Sequence, residues 1–179
     1  EILDDYTIKF TYHAKDGEEG YPGNMDFSAT YHLEGTTLTI SYHATSDKDT
    51  LINITNHSYF NLNGHASSVH NHVLKLNADE VGCVDGDGLY TGELLDVTNT
   101  PFDFRIPAKI GERVEVDHPQ LKLGNGFDHH FFFTTDKNQV VLEDEESGRR
   151  LTVSTTLPGA QIYTANYLDG RIGKNGEPY

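Results

Sequence analysis

The sequence predicts an all-β protein, an antiparallel β-sandwich. Three observations carry that prediction. Apolar and polar residues alternate with a period of two over several stretches, Gly, Pro and Asn punctuate those stretches at short intervals, and only residues 108–116 hint at a short helix. In the first strand Tyr6, Ile8, Phe10 and Tyr12 alternate with Thr7, Lys9 and Thr11, so one face is apolar. Residues 16–23 carry Gly and Pro turn chemistry, which reads as a structural turn rather than an acidic ligand loop. Next, Met25, Phe27, Ala29, Tyr31 and Leu33 alternate with Asp26, Ser28, Thr30 and His32 until Gly35 breaks the strand. Leu38, Ile40, Tyr42 and Ala44 begin another, and Asp47-Lys48-Asp49 turns the chain into a strand over 51–55 that delivers His57. Further strands are expected over 73–76, 131–134, 140–143, 150–156 and 161–166, with Glu146-Ser147-Gly148 as a hairpin turn. Residues 85–100, rich in Gly, Asp and Thr, read as extended loops.

The chain has 179 residues and shows no repeat, low-complexity tract or linker, so residues 1–179 read as a single domain. It opens at Glu1 without a Met and closes on Asn175-Gly176-Glu177-Pro178-Tyr179, which completes no element, so both ends read as truncations. Twenty-eight acidic against thirteen basic residues give a formal charge of −15. That field repels phosphate backbones and anionic lipid, which argues against nucleic-acid and membrane partners, whereas a neutral ligand feels little of it. No apolar run approaches the ~20 residues of a membrane-spanning helix. A single cysteine, Cys83, rules out an internal disulfide framework and fits a reducing, cytoplasmic setting. Oligomeric state leaves no trace in the sequence.

The stretch richest in chemistry is Thr55-Asn56-His57-Ser58-Tyr59-Phe60-Asn61-Leu62-Asn63-Gly64. An imidazole exchanges protons near neutral pH. Asn and Ser supply donors and acceptors, and Tyr and Phe supply flat apolar faces, a combination suited to a sugar with C–H faces and hydroxyl edges. Alone, His57 reads first as an imidazole satisfied by backbone partners, and Tyr59 equally as a core aromatic or a sugar-facing ring. Asp128, in Gly126-Phe127-Asp128-His129-His130, is either a turn residue after glycine or a carboxylate able to accept from two vicinal hydroxyls. Gln161 follows the Pro158-Gly159 turn, where its amide could donate and accept, or simply face solvent.

The segment at 55–62 resembles the TNHSYFNL motif of the aldose 1-epimerase (galactose mutarotase) family. Three further stretches resemble that family in the same order: residues 16–23, Asn125-Gly126-Phe127-Asp128-His129, and residues 155–164 with Asn166-Tyr167-Leu168-Asp169-Gly170. The resemblance implies a mutarotase-like supersandwich, here incomplete, and an isomerase that interconverts the anomers of free aldoses such as galactose and glucose. It makes His57 the general acid and substrate ligand, with Ser58, Tyr59, Asp128 and Gln161 as further substrate ligands. It implies no cofactor. The family's basic Glu matches no residue here, Glu177 lying before the expected position, so the chain alone is expected to be inactive. The reading requires the His57 ring to open into a hydroxyl-lined cavity within reach of Asp128.

His65, His70, His72, His129 and His130 invite a metal reading. His70 and His72 would share a strand face while His129 and His130 would point oppositely, and Cys83 has no Cys partner, so no metal site is expected. Asp85-Gly86-Asp87-Gly88 fails as a calcium loop because Leu89 and Tyr90 occupy positions that need an oxygen ligand and a glycine. Both glycosylation sequons, at Asn53 and Asn56, overlap the His57 segment and carry no weight without secretion. A non-catalytic carbohydrate-binding sandwich and a purely structural β domain remain as alternatives. A sugar-phosphate epimerase would need cationic residues, and the five arginines lie outside the matched motifs.

Overall fold

The computed structural model describes residues 1–64, 67–168, 170–173 and 176. Its contacts divide the chain into two compact units, Glu1–Ser58 and Tyr59–Tyr179.

The first unit is one antiparallel sheet in sequence order, β1 (Ile2–Asp4), β2 (Thr7–Ala14), β3 (Met25–Glu34) and β4 (Thr37–Ser46). The period-two pattern becomes its two faces. Ile8 pairs with Tyr31 and Tyr31 with Ile40, and Phe10 pairs with Ala29 and Ala29 with Tyr42, so apolar side chains run in rows across the strands. Thr7, Thr11 and His13 line the other face with His32, Ser28 and Asp26. The turn over 16–23 is structural, as expected. Asp16 accepts from the Gly23 amide (2.7 Å) and pairs with Lys48, while Asn24 bonds to Asp47 through both its amide and its side chain. Gly23 has φ +88°, and a Cβ there would lie 2.6 Å from Ser46 Oγ, so the position admits only glycine.

The strand expected over 51–55 is absent. Leu51, Ile52, Ile54 and Thr55 are β-prone, but the backbone of these residues forms no ladder with any described strand, and a β-prone sequence without a pairing partner stays irregular.

The second unit holds two four-stranded antiparallel sheets. One runs β11 (Arg149–Val153), β10 (Val140–Asp144), β5 (Val73–Leu76), β8 (Ala108–Lys109). The other runs β12 (Gly159–Tyr163), β9 (Asp128–Phe133), β6 (Ala78–Val84), β7 (Tyr90–Asp96). Leu74 and Leu76 from the first sheet meet Val81 and Phe131 from the second around Val97, Phe102, Phe104 and Phe127, the core of a sandwich. Each fully buried Phe contributes on the order of 1.5–3 kcal/mol. Phe102 packs edge-on against Phe127 at 5.5 Å.

Residues 85–100 are not extended loops. β6 and β7 form a hairpin whose turn is closed by Asp85, its Oδ1 accepting from the Asp87 and Leu89 amides, both at 2.9 Å. A short polar side chain that bonds its own backbone makes a tight turn out of a composition that reads as loop. The helix expected over 108–116 resolves into β8 followed by α1 (Ile110–Val114), and α2 (Pro119–Gly124) was not anticipated. No described helix is long and apolar enough to cross a membrane.

Candidate functional site

The site in the second unit is built where α2 ends and β9 begins. His118 caps α2, its Nδ1 accepting from the Gln120 amide at 3.2 Å, with Pro119 at the first helical position. Asn125 ends the helix in the left-handed conformation (φ 52°), and the Gly126 amide returns to the Leu121 carbonyl at 2.9 Å. Gly126, at φ +128°, lets Asn166 approach so closely that a Cβ would lie 2.5 Å from its Oδ1. Asn166 Nδ2 donates to the carbonyls of Gly124 (2.8 Å) and Phe127 (2.9 Å). Two motifs distant in sequence therefore make one joint, and Phe127, completely buried, pins it to the core.

That joint launches Asp128 as the first residue of β9. His129 turns inward and is completely buried, its Nδ1 accepting from the Asp128 amide at 3.1 Å. The neutral ring then carries its proton on Nε2, which faces Gln120 Oε1 at 3.3 Å, and Gln120 is itself held by both backbone groups of Val84. Burial pushes the His129 pKa down to about 4.

On the outward face, Asp128 pairs in register with Tyr163, and His130 with Gln161. Gln161 Nε2 donates to Asp128 Oδ1 at 2.9 Å. Asp128 Oδ2 and Gln161 Oε1 have no hydrogen-bond partner among the described residues, leaving two acceptors side by side for a ligand. Tyr59 packs edge-on against Tyr163 at 6.1 Å and so joins this cluster. The structure thus unites Tyr59, Asp128 and Gln161. His57 and Ser58, both exposed, belong to the first unit, where the Asn56 side chain receives the Ser58 amide at 3.1 Å and reaches the Tyr31 hydroxyl at 3.4 Å.

Two residues of the cluster escaped sequence reasoning. Tyr163 is marked only by its register opposite Asp128. His130 shares the face of Asp128, its half-buried ring lying edge-on to Phe132 at 4.8 Å, and burial lowers its pKa so that it stays neutral. The opposite orientation of His129 and His130 is as expected. His70 and His72 do not share a strand face: both precede β5, where a 3-10 turn leaves His70 exposed and turns His72 fully inward. His65 lies outside the described residues. Among the described residues no three His, Cys, Asp or Glu side chains are grouped for a metal ion.

Two surface concavities lie elsewhere. One of about 280 Å³ is bordered by Lys9, His13, Asp26 and His43 in the first unit. Another of about 360 Å³ is bordered by Phe133, Gln139, Thr155 and Pro158 in the second. Neither contains a residue expected in the site.

A family model described as aldose 1-epimerase matches residues 1–178. Galactose mutarotase from Homo sapiens is 41% identical over 177 residues, covering 96% of this chain and 50% of that protein. Aldose 1-epimerase from Haemophilus influenzae is 41% identical over 178 residues, covering 96% and 52%. Among solved structures, galactose 1-epimerase from Lactobacillus acidophilus superposes with a TM-score of 0.84 at 34% identity, over 93% of this chain and 49% of that one. A GalM/aldose epimerase homologue from C. elegans gives a TM-score of 0.88 at 30% identity, over 100% and 55%. The chain spans about half the length of the relatives it matches.

Proposed function

This chain belongs to the aldose 1-epimerase family, and from that premise we propose that its site serves the interconversion of the α and β anomers of a free aldose such as galactose or glucose. In that isomerisation a base takes the proton of the C1 hydroxyl while an acid protonates the ring oxygen, and the ring opens to an aldehyde. Rotation about C1–C2 presents the other carbonyl face, and closure reverses the proton transfers. No group or electron leaves the sugar, so neither metal nor redox cofactor is needed. His57 is the acid, Ser58 and Tyr59 line the sugar, and Asp128 and Gln161 hold its hydroxyls.

The observation that carries this reading is the Asp128–Gln161 pair, 2.9 Å apart, with an acceptor of each left over for hydroxyl groups. A neutral sugar suits the site better than a sugar phosphate. Arg105 is engaged by Asp79 and Asp103, Arg149 by the Leu62 carbonyl and Arg150 by Glu143, so these cations are committed elsewhere. The single Cys83 supports a reducing, cytoplasmic setting, and the charge of −15 disfavours nucleic acid as a partner.

Titrating the ¹⁵N-labelled chain with galactose is expected to shift the amides of Asp128 and Gln161. Asp128→Asn weakens that binding about tenfold or more, because it removes a charge-assisted acceptor. Equal affinity in the variant would remove Asp128 from the site. None of these 179 residues matches the family's basic Glu, so this stretch by itself gives His57 no matched base. The optical rotation of freshly dissolved α-galactose should therefore relax no faster with the chain than in buffer, and a clearly faster decay would mean that the chain supplies a base of its own.

A further inference from the structure

Leu62, three residues beyond Tyr59, is held on both sides of its peptide groups by side chains from other elements. Its amide donates to His72 Nε2 at 2.9 Å, and its carbonyl accepts from Arg149 Nη1 at 2.8 Å and Ser147 Oγ at 3.1 Å. The Ser147 amide is in turn fixed by Asp144 Oδ2 at 2.9 Å. His72 and Asp144 are 0% and 2% exposed. Because Nε2 accepts, the neutral ring carries its proton on Nδ1, which faces Asp144 Oδ1 across 4.0 Å and has no hydrogen-bond partner among the described residues. A histidine serving only as core filling has no need to accept from a loop amide. Further along, Asn61 Nδ2 donates to the Ser67 carbonyl at 3.0 Å, so the segment is tied down just after its aromatic pair.

We infer that His72 is a positioning residue for the sugar-binding loop, gripping the Leu62 peptide together with Arg149 and Ser147 and thereby setting where Tyr59 lies against Tyr163. The inference rests on the sugar-site reading above. It makes the grip dependent on proton count, since a protonated Nε2 would confront the Leu62 N–H with a second donor. Burial lowers the His72 pKa from its ordinary 6.5 and Asp144 opposes that shift. The charged groups around it are Asp144 on β10, Arg149 on β11, and Lys109 on β8, which pairs with Glu145 at 3.9 Å.

The test is amide exchange and galactose titration of the ¹⁵N-labelled chain and two variants. His72→Gln places a non-titrating acceptor where Nε2 stands, and His72→Leu supplies none. At pH 7 the protection of the Leu62 amide is expected to fall about tenfold in His72→Leu and to persist in His72→Gln. As the pH drops below the imidazole range, the wild-type chain should lose that protection while His72→Gln keeps it. Galactose affinity, read from Asp128 and Gln161, should follow Leu62 protection in each case. Should His72→Leu fail to fold, the comparison of wild type with His72→Gln across pH still decides. Leu62 protection with the same pH course in both, or galactose affinity indifferent to its loss, would overturn the inference. A wild-type chain in which galactose moves neither Asp128 nor Gln161 would instead strike the sugar reading, and this role with it.

Discussion

Gly126→Ala is expected to destabilise the second unit by roughly 2–6 kcal/mol and to disconnect the Asp128–Gln161 pair. Two costs combine. A non-glycine residue at φ +128° pays backbone strain of order 1–3 kcal/mol. The added Cβ also meets Asn166, with its Oδ1 at 2.5 Å. Asn166 cannot swing aside cheaply, because it donates to the Gly124 and Phe127 carbonyls and receives the Thr164 hydroxyl. Overpacking at such a site costs a further ~1–3 kcal/mol. Gly148→Ala is the control: φ there is +70°, but nothing lies within 4 Å of the added methyl, so only the strain remains. Denaturant unfolding of the two variants checks the claim, and equal losses would show that the Gly126–Asn166 contact carries no weight.

Acid is expected to weaken the second unit well before its carboxylates titrate. His129 has an ordinary value of 6.5 in the unfolded chain and about 4 when folded, owing first to burial. Between those values the unfolded chain binds more protons, so stability rises with pH across that window. The contribution is full above about pH 7 and drains away as pH falls toward 4, some 3 kcal/mol in all. Carboxylates behave separately. Asp103, bonded by Arg105, and Asp144, bonded by Ser147, both sit below the ordinary 3.8, and their contributions are lost only in stronger acid. His129→Asn retains an acceptor near the Nδ1 position for the Asp128 amide but does not titrate. Its unfolding free energy should be flatter than wild type between pH 4 and 6.5, and parallel slopes in the two proteins would contradict this account.

How far the sequence foretold the molecule depended on the range of the forces involved. Alternation along Tyr6–Tyr12 and Met25–Leu33 is local, and β2 and β3 followed it. The β-prone run at 51–55 came to nothing because a strand needs a neighbour, and the neighbour is not written in the five residues themselves. β6 was hidden: its run Ala78-Asp79-Glu80-Val81-Gly82-Cys83-Val84 breaks period two, because a register shift lies between Ala78 and Glu80. α2 was missed because its six residues, Pro119–Gly124, are too few to show a helical period, and Asn125 rather than a glycine takes the left-handed position after them. Asp128 and Gln161 were singled out as candidates by motif, and their spacing of 33 residues closes to 2.9 Å. What supports them could not be read locally. Asn166 under Gly126, Gln120 behind His129 and His72 beneath Leu62 are contacts chosen by topology, and a residue's own neighbours in sequence do not announce them.

The strand orders carry a consequence for how the molecule comes into being. β5 lies between β8 and β10, and β6 between β7 and β9, so each must wait for a partner from the later part of the chain. Arg149 reaches the Leu62 carbonyl across 87 positions. During synthesis at ~5–20 residues per second, the Leu62 loop is made several seconds before the arginine that fastens it. The first sheet, whose strands pair strictly with their sequence neighbours, has no such wait. Nascent polypeptide should therefore acquire its first sheet early and its second unit last, with the unfinished hairpins of that unit the species most in need of chaperone shelter.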